Sequence, residues 1–145
     1  MTLYNLTKPQ NEILKSVNRT KDHTKIYVNM MGFYFIDRNN FNIGAMQQAF
    51  NIIVRDNDIL RVSIIEKDKT LKQFFNPYTP FELDCENYPT LEAFENAISS
   101  YVKEYALPLD KHAWKAKIVT YGNQGAFLFR IHHIITDGFS QELTK

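Results

Sequence analysis

Twice in this sequence a run of strand-forming residues meets a short polar turn and is followed at once by a second such run. Leu60 to Glu66 and Leu71 to Phe75 flank Lys67-Asp68-Lys69-Thr70, and Ala113 to Tyr121 and Ala126 to Ile134 flank Gly122-Asn123-Gln124-Gly125. Apolar, β-branched and aromatic runs bounded by turn residues read as β-hairpins, and a hairpin holds its two strands antiparallel. Lys25 to Asp37 reads as a further, long strand, with Asn29 as the only polar side chain between its charged ends.

Three helical patterns are interleaved with these strands. Thr7-Lys8-Pro9-Gln10 carries a capping pattern with proline in the first turn, followed by Ile13, Leu14 and Val17 on one side. Asn42 can cap a second helix with Ile43, Met46, Phe50 and Ile53 at helical spacing. Thr90 opens a third, with Leu91, Phe94, Ile98, Val102 and Tyr105 along one stripe. Asn76 to Pro89, with prolines at 77, 80 and 89, reads as a loop. Helices alternating with strands, two pairs of them hairpins, imply an α/β lobe: a mixed β-sheet with helices packed on it. A last helix is expected from Asp137-Gly138, but only Phe139 to Lys145 remain for it. Typical helices run about 10–14 residues. The expectation is therefore one domain, 1–145, cut inside an element just after the histidines described below.

Composition narrows the classes. Hydrophobic residues at 44% and aromatics at 14% of 145 residues are ample for a core. Seventeen Lys and Arg against 16 Asp and Glu leave a net charge of +1, without the basic footprint of a nucleic-acid binder. The single cysteine, Cys85, excludes an intrachain disulfide and a multi-cysteine zinc site, and is expected to be a small buried or half-buried side chain. The first residues contain no signal-peptide core, and the longest apolar stretch, Met30 to Ile36, falls far short of the roughly 18 residues of a membrane span. The expected setting is cytoplasmic, with no membrane and no nucleic acid as partner. The aromatic run Phe33-Tyr34-Phe35 is expected in the core, and His23 and His112 at the surface.

The chemistry concentrates in His132-His133-Ile134-Ile135-Thr136-Asp137-Gly138. Strand alternation places His133 on one face with Phe127, Phe129 and Ile131, and His132 on the other with Leu128 and Arg130. Two imidazoles on opposite faces do not easily share one metal ion, so no metal is expected. Both stand where a strand feeds a turn and a helix, a position at which α/β proteins place ligand groups. An imidazole with a reference pKa near 6.5 is mostly neutral at physiological pH and can accept a proton. Glycine after Asp137 permits a tight turn, and its amide is a candidate donor to a developing oxyanion. The plainer alternative is a structural pair satisfied by backbone groups. Asp137 and Ser140 do not read as parts of a nucleophilic triad, because Ser140 lacks the strand–Gly-x-Ser-x-Gly–helix context.

This heptad resembles the His-His-x-x-x-Asp-Gly signature of the chloramphenicol acetyltransferase-like superfamily, and in particular the condensation domains of nonribosomal peptide synthetases. Leu6-Thr7 with Gln10 is similar to the family's opening segment. Asp56-Asn57-Asp58-Ile59-Leu60-Arg61 resembles its Arg-His-Glu-x-Leu-Arg segment, with departures at 56, 57 and 58. Leu109-Asp110 and Trp114-Lys115-Ala116 resemble a degenerate form of its Phe-Asp-Leu…Pro-Leu-x-Arg stretch.

The resemblance implies a chloramphenicol acetyltransferase-like N-terminal lobe and acyl transfer. An acceptor aminoacyl α-amine would attack a donor acyl or peptidyl thioester, both on 4'-phosphopantetheine arms of carrier proteins, with no cofactor bound to the lobe. It implies that His133 is catalytic and His132 structural, and that the Gly138 amide lies near the reacting carbonyl. Asp137 would form a salt bridge to Arg61, with Arg55 as second choice; without that, Arg61 reads as a solvated surface arginine. The partners implied are carrier proteins and a C-terminal lobe carrying the other wall of the substrate tunnel, without which the lobe is expected to be incompetent. Two other functions stand beside this one: a free acyltransferase with an acyl-CoA-type donor, and a non-catalytic lobe that docks carrier proteins.

Overall fold

The computed structural model describes residues 1–19, 29–103 and 107–136, and for 17–19 the backbone only. Its elements, in order, are β1 (Tyr4–Asn5), α1 (Lys8–Arg19), β2 (Asn29–Asp37), α2 (Ile43–Asp56), β3 (Val62–Lys67), β4 (Thr70–Phe75), β5 (Asp84–Asn87), α3 (Leu91–Lys103), β6 (Trp114–Tyr121) and β7 (Gln124–His132). Single 3₁₀ turns lie at Asp58–Arg61 and His133–Ile135. Of the expected strand beginning at Lys25, the part before Asn29 lies outside the described residues, as do Val17's side chain, His23 and Tyr105.

The α/β expectation is met, with the strands divided between two sheets. One is antiparallel in the order β1-β4-β3; the other runs β2-β7-β6-β5. Both hairpins form as expected. In the first, Asp68 and Lys69 take φ of 51° and 59°, the left-handed backbone of a two-residue turn matched to strand twist. β5 pairs parallel to β6, from Asp84 opposite Lys117 to Asn87 opposite Thr120. This strand falls within the stretch read as a loop. Four residues among prolines carry no alternation, and the strand exists because β6 offers it a free edge. It also carries Cys85 on its exposed side, contrary to the burial expected of a free cysteine.

Both sequence-legible caps are made. The Thr7 amide donates to Gln10 Oε1 at 2.8 Å and the Gln10 amide to Thr7 Oγ1 at 3.4 Å, a reciprocal capping box. Asn42 Oδ1 accepts from the Ala45 amide at 2.9 Å.

Two apolar clusters sandwich the larger sheet. On one face Trp114, Ala116, Ile118, Phe127 and Ile131 meet Phe50 and Val54 of α2, Leu6, and Val62 and Ile64 of β3. On the other, Val119, Ala126 and Leu128 meet Phe94 and Tyr101 of α3. The expected helical stripes face the core at Ile43, Met46, Phe50, Phe94 and Ile98 and depart from it at their ends: Ile53 is exposed with its neighbour Val54 buried, Leu91 is exposed, and Tyr101 is buried beside a half-buried Val102. The aromatic run also departs from its expected burial, with Phe33 53%, Tyr34 52% and Phe35 71% exposed. β2 is the outermost strand of its sheet; α3 packs over β6, which leaves the far edge of the face carrying Phe33 and Phe35 uncovered among the described residues, while Tyr34 stands on the opposite face at the same rim.

Candidate active site

β7 delivers the histidine pair. Its last residue, His132, lies opposite Asn29 of β2, and the His132 amide donates to the Ala113 carbonyl at 2.7 Å. The ring is 2% exposed, on the same alternating set as Leu128 and Arg130. His133 does not continue that alternation. The strand stops at His132, and His133 opens the 3₁₀ turn, so it joins neither face of the sheet as the strand pattern had implied. The reason lies in the next two residues. Ile134 and Ile135 are buried in the cluster that also holds Leu6 and Phe50, and α1 packs against this turn. Those two anchors pull the backbone into a turn and leave His133 half-buried at its start.

Each imidazole is held through Nδ1, in opposite senses. His132 Nδ1 accepts from the Ile134 amide at 3.0 Å. Accepting requires a lone pair, so His132 is neutral with its proton on Nε2. Burial first, and the neighbouring His133 second, push its pKa down to about 4. His133 Nδ1 lies 2.7 Å from the Thr136 carbonyl oxygen. A carbonyl oxygen only accepts, so Nδ1 carries the proton, and in the neutral ring Nε2 is the basic nitrogen. This is the tautomer a general base needs.

Arg61 is not a solvated surface arginine. Its side chain is 13% exposed, and its guanidinium donates to the Val54 carbonyl at 2.8 Å and the Asn76 carbonyl at 3.2 Å, as well as to the Arg55 carbonyl and the Asp58 carboxylate. It thus gathers the end of α2, the following 3₁₀ turn and the end of β4. The three departures from the family's segment have local tasks: Asp56 pairs with Arg55 at 2.7 Å, Asn57 Nδ2 donates to the Ile53 carbonyl at 2.7 Å, and Asp58 accepts from Arg61. Asp137, expected as the partner of Arg61 or Arg55, lies outside the described residues, as do Gly138 and Ser140.

His112 departs from the surface position expected of it. It is half-buried and stacks on Trp114, ring centroids 5.2 Å apart at 27°, and burial lowers its pKa. Sequence reasoning missed the two groups that govern the histidines, the Ile134 amide and the Thr136 carbonyl. Both are backbone atoms, which leave no signature in residue identity. Among the described residues no three His, Cys, Asp or Glu side chains are grouped to hold a metal ion, and no helix is long and apolar enough to cross a membrane.

A Condensation domain family model matches residues 1–143. This chain belongs to the condensation-domain family. A plipastatin synthase polypeptide of Bacillus subtilis (strain 168) is 30% identical over 108 residues, which is 71% of this chain and 4% of that protein. The starter condensation domain of rhizomide synthetase superposes with a TM-score of 0.77 at 18% identity, over 99% of this chain and 35% of that one. A structure concerning condensation-domain-mediated chain release from the enacyloxin polyketide synthase gives a TM-score of 0.71 at 20% identity, over 93% of this chain and 28% of that one. The chain thus spans about a third of the length of the solved structures it resembles, and a small part of the plipastatin synthase polypeptide.

Proposed function

We propose that this chain is the histidine-bearing lobe of a condensation site that forms amide bonds between carrier-bound thioesters in nonribosomal peptide synthesis. The observation that carries this reading is the half-exposed His133 with its proton committed to the Thr136 carbonyl. Condensation domains are amide-bond-forming acyltransferases, and the family match supplies the reaction class.

In the step proposed, the acceptor α-amine nitrogen attacks the donor thioester carbon. The C–N bond forms and the C–S bond breaks. His133 Nε2 takes the amine proton, and the departing phosphopantetheine sulfur leaves as a thiolate that takes up that proton, so that the thiol and the neutral imidazole are restored. General-base help of this kind contributes about 10²–10⁴ in rate, and holding two tethered substrates in register can contribute more. Gly138 would offer its amide to the developing oxyanion, and Asp137 would shape the loop. The partners are acyl or peptidyl carrier proteins and a second lobe forming the opposite wall, so the 145 residues alone make no product.

A second donor class has one observation in its favour: a starter condensation domain of rhizomide synthetase, of similar fold at a TM-score of 0.76 and 18% identity, is described in complex with C8-CoA. The test supplies a loaded acceptor carrier protein with either an acyl carrier protein or an acyl-CoA as donor. The catalyst is this chain alone or a two-lobed protein carrying it as first lobe, and products are read by mass spectrometry. Amide product with the two-lobed protein and the carrier-bound donor is expected. Product from acyl-CoA alone would replace the donor assignment, and no amide from either donor would overturn the reading.

A further inference from the structure

We propose that His132 is a positioning residue that sets the tautomer of its neighbour, by capping through its Nδ1 lone pair the turn in which His133 sits. The proposal rests on the reading of His133 as the base. The turn is only three residues, His133–Ile135, with extended backbone on both sides. Such a short 3₁₀ turn has few bonds of its own. Its upstream end is held by the His132 side chain, which accepts from the Ile134 amide at 3.0 Å. Its downstream end is closed by the Thr136 amide donating to the His133 carbonyl at 3.4 Å. Thr136 then turns its own carbonyl to His133 Nδ1 at 2.7 Å. The carbonyl that dictates where the His133 proton sits is therefore on the residue that closes the turn. Loosening the cap at one end moves that carbonyl at the other.

The choice of histidine as cap follows from its surroundings. Ser, Thr, Asp and Asn are the usual helix N-caps. His132 also fills a buried place in β7, where an apolar residue would leave the Ile134 amide without its acceptor. A neutral imidazole supplies bulk and an uncharged acceptor together. Burial and the adjacent His133 both favour that neutral form. Of the smaller side chains, asparagine alone keeps an uncharged carbonyl acceptor at cap length.

The test reads the ring nitrogens of the ¹⁵N-labelled 145-residue chain by long-range ¹H–¹⁵N NMR at neutral pH. Expected in the unmutated chain are a bare Nδ1 on His132, with scalar coupling across the hydrogen bond to the Ile134 amide nitrogen, and a proton on Nδ1 of His133. In H132A the single His133 tautomer should be lost to a mixture, and H132N should restore it. A His133 tautomer unchanged in a folded H132A would overturn the positioning role and leave the base reading standing. If H132A does not fold, the unmutated chain decides, because a proton on His132 Nδ1 would overturn the cap. A His133 protonated at Nε2 in the unmutated chain would overturn the base reading itself.

Discussion

Acidification from pH 7 to pH 5 is expected to weaken this fold chiefly through His132. The ring is neutral in the folded chain down to about pH 4, whereas an unfolded histidine titrates near 6.5. Between those values the unfolded state binds more protons, so stability falls as pH falls. It is complete above about 6.5, is lost as pH drops toward 4, and changes no further below that. Integrating the two titrations from pH 7 to pH 5 gives a loss of about 2 kcal/mol. With urea slopes of about 1–3 kcal/mol/M, the unfolding midpoint moves down by about 1 M. His112, whose pKa burial also lowers, adds to the loss with the same sign. Glu86 and Asp56, held down by Tyr88 and Arg55 respectively, lose their contributions mainly at lower pH. The assay is urea unfolding at pH 7 and pH 5, followed by the fluorescence of Trp114, the only tryptophan. H132N removes the titrating group, so most of the pH dependence should disappear with it. A midpoint independent of pH in the unmutated chain, or an undiminished dependence in H132N, would refute the reasoning.

Other perturbations test the packing. W114A empties a site where Phe50 and Phe81 lie 5.2 and 4.8 Å away, centroid to centroid, and should cost about 3–5 kcal/mol in thermal or urea unfolding. N42A removes the α2 cap and should cost about 1 kcal/mol by the same measurement. K69G relieves a left-handed lysine in an exposed turn and should stabilise the chain by up to about 1 kcal/mol, with an unchanged circular dichroism spectrum.

Where local chemistry decides the conformation, the sequence is legible in this chain. Thr7 with Gln10, Asn42 and the Lys67–Thr70 turn need only their immediate neighbours and form as read, and the second hairpin turns at Gly122-Asn123, with Gln124 and Gly125 already in β7. What escaped depends on partners far along the chain. β5 forms because β6 lends it an edge, and Cys85 is exposed because of the side on which it falls. Phe33, Tyr34 and Phe35 look like core residues until the position of β2 at the sheet's rim is known. At the site, the heptad revealed the identity of both histidines but not their geometry. Alternation put His133 on a strand face, whereas the burial of Ile134 and Ile135 turned the backbone one residue earlier. Arg61 read as either an ion-pair partner or a solvated cation; its described bonds run to the Asp58 carboxylate and to carbonyls brought together only by folding.

The most direct measurement of the central claim is single-turnover condensation by a two-lobed protein carrying this lobe, with His133 intact or replaced by Ala, and carrier binding measured in parallel. The account predicts that H133A slows amide formation by about 10²–10⁴ while both carriers bind as before. An unchanged rate in H133A would contradict it and leave the histidine turn as architecture alone.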